Sequence, residues 1–393
     1  MKILNKVIRK INCMFIAAAF ASAFFLPFPP QADAECFFET FQCEVKVDGR
    51  SYFYNEDDYF YNRNIPMLES FISRGRQAVE LMIDNMQPKQ AVDLMFYGFD
   101  SFLDKIIEEN CVEVKNSGLV LNKARNGFDL TEEVAGRILD TDEFCFLFAS
   151  SAANGQNYFE TETAEVKPEI KKKNLEGKIG LISEFSTTLY GKTPARINNI
   201  KLALSNFNGL CIPARTEISF NMVTGPRTKE RGYKEANIII NGDYEKGVGG
   251  GVCQASTTLY NALLLAGINI KEVHSHTLAP SYVELSFDAM VNTGSADLIF
   301  YNQYAAPIAF LTSVSGEKVN VKIFGKKLSE EQKIVRRSEI IEIIPPEERP
   351  DNPDETEQKP KLNGYKSEGY LDYYESGRLV KSVKIRSDKY KPR

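Results

Sequence analysis

The clearest pattern of apolar positions lies directly after a run of glycines, in "GVGGGVCQASTTLYNALLLAGI" at residues 247–268. Apolar side chains recur there every three or four positions, which places them on one stripe of a helix. The stripe consists of Val252, Ala255, Leu259, Ala262, Leu263 and Ala266. Gly267 is the residue type that ends helices in a left-handed cap. The spacing therefore predicts a helix that starts near Gly251 and ends at Gly267.

Weaker patterns on both sides of this helix predict further helices and strands. Residues 65–110 repeat at helical spacing, "GLVLNKARNGFDL" predicts a hairpin, and "TEEVAGRIL" predicts a short helix. After the glycine-flanked helix, "INIKEVHSHT", "FDAMVNT" and "ADLIFYN" predict strands, and two hairpins turn near Ser315–Gly316 and Ser376–Gly377. We expect an α+β fold: an N-terminal mixed α/β region, a domain with a central helix packed on short antiparallel strands, and a C-terminal hairpin.

The first residues have the layout of a secretory signal peptide. Four basic residues precede the apolar run Cys13–Phe28, and Ala32, Asp33 and Ala34 follow as a small-x-small cleavage site. The apolar run is short for a helix that spans a bilayer. We expect cleavage after Ala34 and an exported protein that is extracellular or associated with the cell wall. The alternative is an uncleaved leader, which would be the protein's only contact with the membrane.

Charge and cysteine content exclude some classes of partner and of scaffold. The formal net charge of the chain is −5, and loss of the basic leader makes it more negative, so nucleic acid is not an expected partner. Six of the seven cysteines lie after the leader. A chain of this size does not need a disulfide framework, although Cys36 and Cys43 are spaced to close a small loop. The other cysteines are expected as free thiols.

Cys253 is the candidate nucleophile, because it lies at the start of the predicted helix. Free backbone N–H groups and the positive end of the helix dipole favour the thiolate there, so the pKa of the thiol should fall. Gly249, Gly250 and Gly251 would let a substrate backbone approach the uncovered sulfur. The alternative is a tight loop beside a packed cysteine, and this stretch by itself leaves both interpretations open.

The chain has two histidines, His274 and His276, and both lie in the predicted strand after the helix. Alternate residues of a strand share one face, so either ring can meet the thiol. One histidine as base and Asp288 as its orienting carboxylate would complete a thiol-dependent triad. The alternatives are purely structural histidines, or a zinc site at Cys253, His274 and His276 with Asp288 or water as fourth ligand. Paired C-x-x-C ligands are absent, so we assign no metal and expect no cofactor.

Substrate-binding candidates lie near the thiol in the sequence. Arg227 follows a Gly-Pro turn and can hold a substrate carboxylate with two parallel hydrogen bonds, or it is an ordinary solvated charge. Gln254 can bind an oxyanion, although glutamine is also common in the first turn of helices. The full set of candidates is Gly249, Gly250, Gly251, Gln254, Arg227, Thr257 and Tyr260.

Several of these motifs together resemble the VanW family, named for an accessory protein of vancomycin-resistance clusters. They are "SFNMVTGPRTKERGYKEANIIINGD", "GGGVCQASTTLYNA", "HSHT", "SYV", "DAMV" and "ADLIFYN", in that order, within about residues 180–326. Residues 75–195 are similar to the peptidoglycan-binding domain that often precedes VanW domains. The sequence departs from the family pattern at Ala214–Arg215, Val273, Leu285–Phe287 and Met290. The resemblance implies a place in the bacterial cell envelope and peptidoglycan as partner.

The predicted domain organisation has five parts. They are a signal peptide (1–34), an N-terminal region that binds peptidoglycan (35–180), a VanW-type domain (181–326), a charged proline-rich linker (327–364) and a C-terminal β-hairpin tail (365–393). Two functions stay open. One is a cysteine-dependent acyltransferase or peptidase on wall peptides, and the other is a non-catalytic module that binds peptidoglycan. The sequence leaves the oligomeric state and the substrate bond open.

Overall fold

The computed structural model describes residues 42–54, 87–96, 99–154, 156–189, 191–240, 243–327, 329, 331–346 and 361–392. The leader, Cys36 and most of the helical pattern predicted from residue 65 lie outside the described residues. The helices are α1 (Pro88–Met95), α2 (Phe99–Asn110), α3 (Thr141–Ala153), α4 (Lys172–Leu175), α5 (Pro194–Ser205), α6 (Phe220–Thr224) and α7 (Val252–Leu265). No helix among these residues is both long and apolar enough to cross a bilayer.

The strands are short in the first half of the chain and longer towards its end. They are β1 (Cys43–Val47), β2 (Arg50–Tyr54), β3 (Leu119–Leu121), β4 (Phe128–Leu130), β5 (Gly136–Ile138), β6 (Tyr158–Thr161), β7 (Ala164–Val166), β8 (Ile179–Thr188), β9 (Cys211–Ile212), β10 (Glu217–Ser219), β11 (Glu235–Ile240), β12 (Asp243–Val248), β13 (Asn269–Glu272), β14 (Ile299–Tyr301), β15 (Ile308–Ser315), β16 (Lys318–Lys326), β17 (Gln332–Ile344), β18 (Gly364–Glu375) and β19 (Arg378–Tyr390). Helices and small sheets alternate along the chain, which confirms the expected α+β class.

The first of two compact units comprises Met1–Lys115 and Val134–Lys167. In its described part, a sheet of order β2-β1-β6 packs with α1, α2 and α3 around a core rich in aromatic rings. Tyr54 lies at the centre of this core, with ring centroids 5.3 Å from Phe102 and Phe148 in edge-to-face contact. These contacts explain why alternate residues of β1 and β2 are buried.

The short helix predicted in "TEEVAGRIL" is wrong. Gly136–Ile138 is strand β5 and pairs antiparallel with β7, while backbone bonds join Val134 to Lys115 and Arg137 to Val112. Each of these bonds uses a backbone group that a helix would need for itself. Tertiary pairing therefore outweighs the helical pattern of this stretch.

The second unit comprises Asn116–Glu133 and Pro168–Arg393. Its largest sheet has the order β8-β16-β15-β9, and α7 packs on β8 and β16 while α5 packs on β15. The hairpins predicted at Asn126–Gly127 and Ser315–Gly316 are confirmed as β3–β4 and β15–β16. In β16, alternate residues point into the core, among them Val319, Val321 and Ile323. One side of the sheet thereby covers the apolar stripe of α7.

Two of the strands predicted after α7 are shorter than expected. The stretch "INIKEVHSHT" forms β13 only as far as Glu272, and the pairing of β13 with β14 has a register shift between Ile270 and Glu272. The stretch "FDAMVNT" makes only an isolated bridge between Met290 and His274. The backbone there bonds instead to side chains of α7, which replaces a sheet ladder.

The chain ends in a three-stranded antiparallel sheet of order β17-β18-β19. The hairpin predicted at Ser376–Gly377 is confirmed, but its partner β17 lies within residues 327–364, which were expected as linker. Strand β17 packs against the rest of this unit through Arg336. The guanidinium of Arg336 lies 4.3 Å from the ring centroid of Phe185 and 4.7 Å from that of Phe287. The guanidinium also donates to Asn261 of α7 over 2.5 Å. Charged residues in this stretch therefore pack against the domain.

Candidate functional site

The glycines before α7 are required by backbone geometry and close packing. Gly249 and Gly251 have φ angles of +87° and +111°, which residues with a Cβ rarely adopt. A Cβ on Gly250 would lie 2.7 Å from the carbonyl oxygen of Asn237, and one on Gly251 would lie 2.8 Å from Cγ of Arg196. All three glycines are buried. This packing accounts for them without a substrate, so their role in substrate binding stays a prediction.

Cys253 is the second residue of α7 and is half-buried. Its thiol donates to the carbonyl oxygen of Val291 over 3.3 Å. Burial acts to raise the pKa of this thiol, but hydrogen bonding to His276, the charge of that ring and the charge of Arg227 together lower it below its ordinary value. The neighbours of Cys253 therefore favour its thiolate form, and its role as a nucleophile stays a prediction.

His276 and Asp288 form a buried pair beside the thiol. His276 Nδ1 lies 2.7 Å from Asp288 Oδ2, and the backbone N–H of His276 donates to the same oxygen over 2.7 Å. Burial acts to lower the pKa of His276, yet Asp288 and Cys253 raise it to about 10. The pKa of Asp288 is lowered, since the charged neighbours outweigh its burial. Together these shifts favour a thiolate, an imidazolium and a carboxylate in series.

His274, the other candidate base, has a different environment. Its Nε2 lies 2.8 Å from Glu272 Oε1, and both side chains are 39% exposed. The two histidines do not share a face of one strand, since β13 ends at Glu272. Within the described residues, no group of three or more His, Cys, Asp or Glu side chains is placed to hold a metal ion. The geometry therefore selects His276 as the histidine that accompanies Cys253.

The segment that carries Asp288 is fixed along α7 by side-chain hydrogen bonds. Ser256 donates to the carbonyl oxygen of Ala289 over 2.6 Å, and the amide of Ala289 donates to Thr257 Oγ1 over 2.9 Å. Asn261 donates to the carbonyl oxygen of Phe287 over 2.8 Å. Ser256, Thr257 and Asn261 thus fix the backbone on both sides of Asp288 against α7, the helix that carries the thiol.

Three of the predicted substrate-binding side chains are in the core. Gln254 is fully buried and donates to the carbonyl oxygen of Thr188 over 2.8 Å, while Thr257 and Tyr260 are buried along the same helix. Tyr260 also lines a pocket with Arg386, and the role of these three side chains in substrate binding stays a prediction. Their positions satisfy buried polar groups of the fold.

Arg227, in contrast, lies next to the thiol. It is half-buried and donates to the carbonyl oxygen of Val291 over 3.2 Å, the same oxygen that accepts the thiol of Cys253. It also donates to the side chain of Asn221. Burial lowers the pKa of Arg227, while the charge of Cys253 acts to raise it. The site therefore places a cation close to where negative charge would develop.

Sequence reasoning missed two aromatic residues near the site. Tyr282 is half-buried, and burial together with the charges of Cys253 and Asp288 raises the pKa of its hydroxyl. Tyr390, near the end of the chain, donates its hydroxyl to Asp288 Oδ1 over 2.6 Å. The motif "SYV" could have drawn attention to Tyr282. No local pattern around Tyr390 indicates its contact with Asp288, which joins residues 102 positions apart.

Comparison with known proteins agrees with the motifs that carry this site. Residues 195–324 match the sequence model of the family described as VanW-like protein. These residues are similar to that family, and we refer to them as the VanW-like domain. This domain holds Cys253, His276 and Asp288, whereas Tyr390 lies outside the matched residues. The match begins at residue 195, so the peptidoglycan-binding resemblance of the upstream region stays a prediction.

Two curated relatives share part of this chain. It is 36% identical over 143 residues to the uncharacterized protein YoaR of Bacillus subtilis (strain 168), a stretch that covers 36% of this chain and 47% of the relative. It is 27% identical over 137 residues to the vancomycin B-type resistance protein VanW of Enterococcus faecalis, covering 34% and 50% respectively. The chain thus spans about half the length of the curated relatives it matches. No solved structure gives a significant match.

Proposed function

We propose that this protein is an exported cell-envelope enzyme that uses Cys253 to cleave or transfer acyl groups at amide bonds of peptidoglycan peptides. The observation that carries the proposal is the series Cys253, His276 and Asp288, in which the thiol, the ring and the carboxylate interact in turn. The lowered pKa of the thiol and the raised pKa of His276 together describe an ion pair ready for nucleophilic attack.

The reaction proceeds through a thioester. The thiolate of Cys253 attacks the carbonyl carbon of an amide, and the imidazolium of His276 donates its proton to the departing amine. Water or an acceptor amine then attacks the thioester carbonyl, and His276 takes up the proton of the attacking group. The C–S bond breaks, which releases the acid or the new amide and regenerates the thiolate of Cys253. Asp288 keeps the ring oriented and its charge balanced throughout. Arg227 lies where it can stabilise the oxyanion or bind a substrate carboxylate.

The cell envelope as location rests on two further observations. The first residues have the charge and hydrophobicity of a secretory leader. The VanW-like domain also occurs in a protein named for vancomycin B-type resistance. The resemblance to the VanW family implies peptidoglycan as partner, so wall peptides are the substrate class of this proposal.

A non-catalytic module that binds wall peptides is the second candidate. The buried glycine loop and the buried amide of Gln254 favour it, since neither is free to serve an oxyanion hole. In that case Cys253 would contribute packing, and Arg227 would recognise a peptide carboxylate.

A single comparison distinguishes the two functions. Purified protein is incubated with wall fragments, and released or newly cross-linked peptides are measured by mass spectrometry for the wild type, Cys253→Ser and Cys211→Ser. Cys211 is the matched control, because it is another half-buried free thiol, whose sulfur accepts from the amide of Leu119 over 3.4 Å. The enzyme hypothesis expects products to be lost only in Cys253→Ser. Peptides that bind unchanged, with no products from any variant, would support the binding module.

A further inference from the structure

We propose that β19 completes the catalytic site of the VanW-like domain, with Tyr390 as the positioning residue that holds Asp288 in its productive orientation. This inference rests on the proposed function and extends it to residues outside the 195–324 match. It assigns a role in the site to the C-terminal sheet, which the sequence pattern treats as a separate tail.

The two oxygens of Asp288 have separate partners. Oδ2 accepts the backbone N–H of His276 and faces Nδ1 of its ring, each at 2.7 Å, whereas Oδ1 accepts the hydroxyl of Tyr390 at 2.6 Å. Asp288 and Tyr390 are both fully buried, so water does not replace either partner. The hydroxyl of Tyr390 therefore fixes the rotation of the carboxylate and leaves Oδ2 for the imidazole.

Tyr390 is itself held in place on the other side. Its hydroxyl oxygen accepts the backbone N–H of Ser286 over 2.8 Å, two residues before the carboxylate it serves. The next residue, Lys391, donates its backbone N–H to the carbonyl oxygen of Thr277 over 2.8 Å, directly after His276. The end of β19 thus binds both the segment that carries His276 and the segment that carries Asp288.

Arg386 adds a second contact from the same strand. It is 9% exposed, lies 3.6 Å from Asp288 Oδ1 and donates to the backbone carbonyl oxygen of Asp288. Its guanidinium also pairs with Asp388 over 3.0 Å, which limits the positive charge that it directs at Asp288. Two residues of β19 four positions apart, Arg386 and Tyr390, therefore converge on one carboxylate that the VanW-like domain provides.

The test follows the pH dependence of alkylation at Cys253 by iodoacetamide, with peptide mapping to isolate this thiol from the others. Tyr390→Phe removes one hydroxyl and keeps the ring, and Tyr365→Phe is the matched control, since Tyr365 is the register partner of Tyr390 on β18. We expect the acid limb of the Tyr390→Phe profile to move to higher pH by about half to one unit, the equivalent of one buried hydrogen bond. Tyr365→Phe keeps the wild-type profile.

The outcomes separate this inference from the proposed function. If the alkylation rate of Cys253 in the wild type follows the pH dependence of an ordinary thiol, the activated cysteine is refuted. If the wild-type alkylation profile lies at low pH, and Tyr390→Phe leaves it unchanged or moves it to lower pH, only the positioning role of Tyr390 is overturned. The far-downfield proton resonance of His276 Nδ1 gives a second readout that does not depend on Cys253: it shifts in Tyr390→Phe if the role is correct, and an unchanged resonance overturns it. If Tyr390→Phe does not fold, Arg386→Lys is measured in the same two ways, with the same changes expected.

Discussion

Replacement of Asp288 by asparagine tests the electrostatics of the site with little change in shape. The carboxylate accepts three hydrogen bonds of 2.6–2.7 Å, two from His276 and one from Tyr390. Asparagine keeps one acceptor oxygen and turns an NH₂ group towards one set of these donors. We expect His276 to lose the charge that keeps it protonated, and the pKa of Cys253 to rise towards its ordinary value.

The size of this effect follows from the bonds that are lost. A hydrogen bond to a charged group contributes about 1.5–3 kcal/mol, which corresponds to about one to two pKa units. The thiolate fraction of Cys253 near neutral pH, and with it the alkylation rate, should therefore fall by about 10- to 100-fold. Asp288→Asn also removes one carboxylate partner of Arg386. The resulting loss in free energy of unfolding should be smaller than for a buried arginine left without any partner, because Arg386 keeps Asp388 at 3.0 Å.

The assay is the rate of alkylation of Cys253 across the pH range, in the wild type and in Asp288→Asn. Asp372→Asn is the matched control: this carboxylate is 5% exposed and accepts from Arg337 over 2.7 Å on the C-terminal sheet. The control should destabilise the fold without changing the profile. If Cys253 of Asp288→Asn reacted with the wild-type profile, the carboxylate would not govern the thiol, and the reasoning would be refuted.

Three further changes have definite expected results. Gly251→Ala should lower the free energy of unfolding by about 1–3 kcal/mol in urea titrations, because φ is +111° and the new Cβ would meet Arg196. Asn199→Ala should lower it by about 2–4 kcal/mol, since the buried amide serves the carbonyl oxygen of Gly250 and two backbone groups of Lys234. The pKa of His276 is raised to about 10 while that of Cys253 is lowered, so near pH 7–8 the folded pair binds one proton, on His276, and the unfolded pair also binds one, on Cys253. The melting temperature of the wild type should thus fall no more steeply than that of His276→Gln between about pH 7 and 8, and a steeper fall would contradict the ion pair.

The local features of the site could be predicted from the sequence. Glycines followed by a helical apolar stripe placed Cys253 in the first turn of α7, where the structure has it. The choice between the histidines could not be predicted, because it depends on the end of β13. The strand ends at Glu272, and His274 then pairs with Glu272 while His276 reaches Asp288.

The contribution of the C-terminal sheet was beyond sequence reasoning for a different reason. Alternation in residues 378–390 predicts a strand, but it says nothing about which distant surface the strand meets. The contact of Tyr390 with Asp288 spans 102 positions and involves single side chains. The charged, proline-rich stretch beyond β17 likewise favoured a linker for all of residues 327–364, because a half-buried arginine between two rings cannot be distinguished from a solvated one by composition.

The position of Arg336 between Phe185 and Phe287 has a consequence for how the chain unfolds. Removal of the terminal strands would uncover Phe287 and leave the side chain of Asn261 without its cationic donor. Neither the VanW-like domain nor the C-terminal sheet therefore keeps its packing once the other is lost. Calorimetry of the full chain should record this domain and the terminal sheet in one cooperative transition, and a shortened chain that ends at residue 324 should lack it.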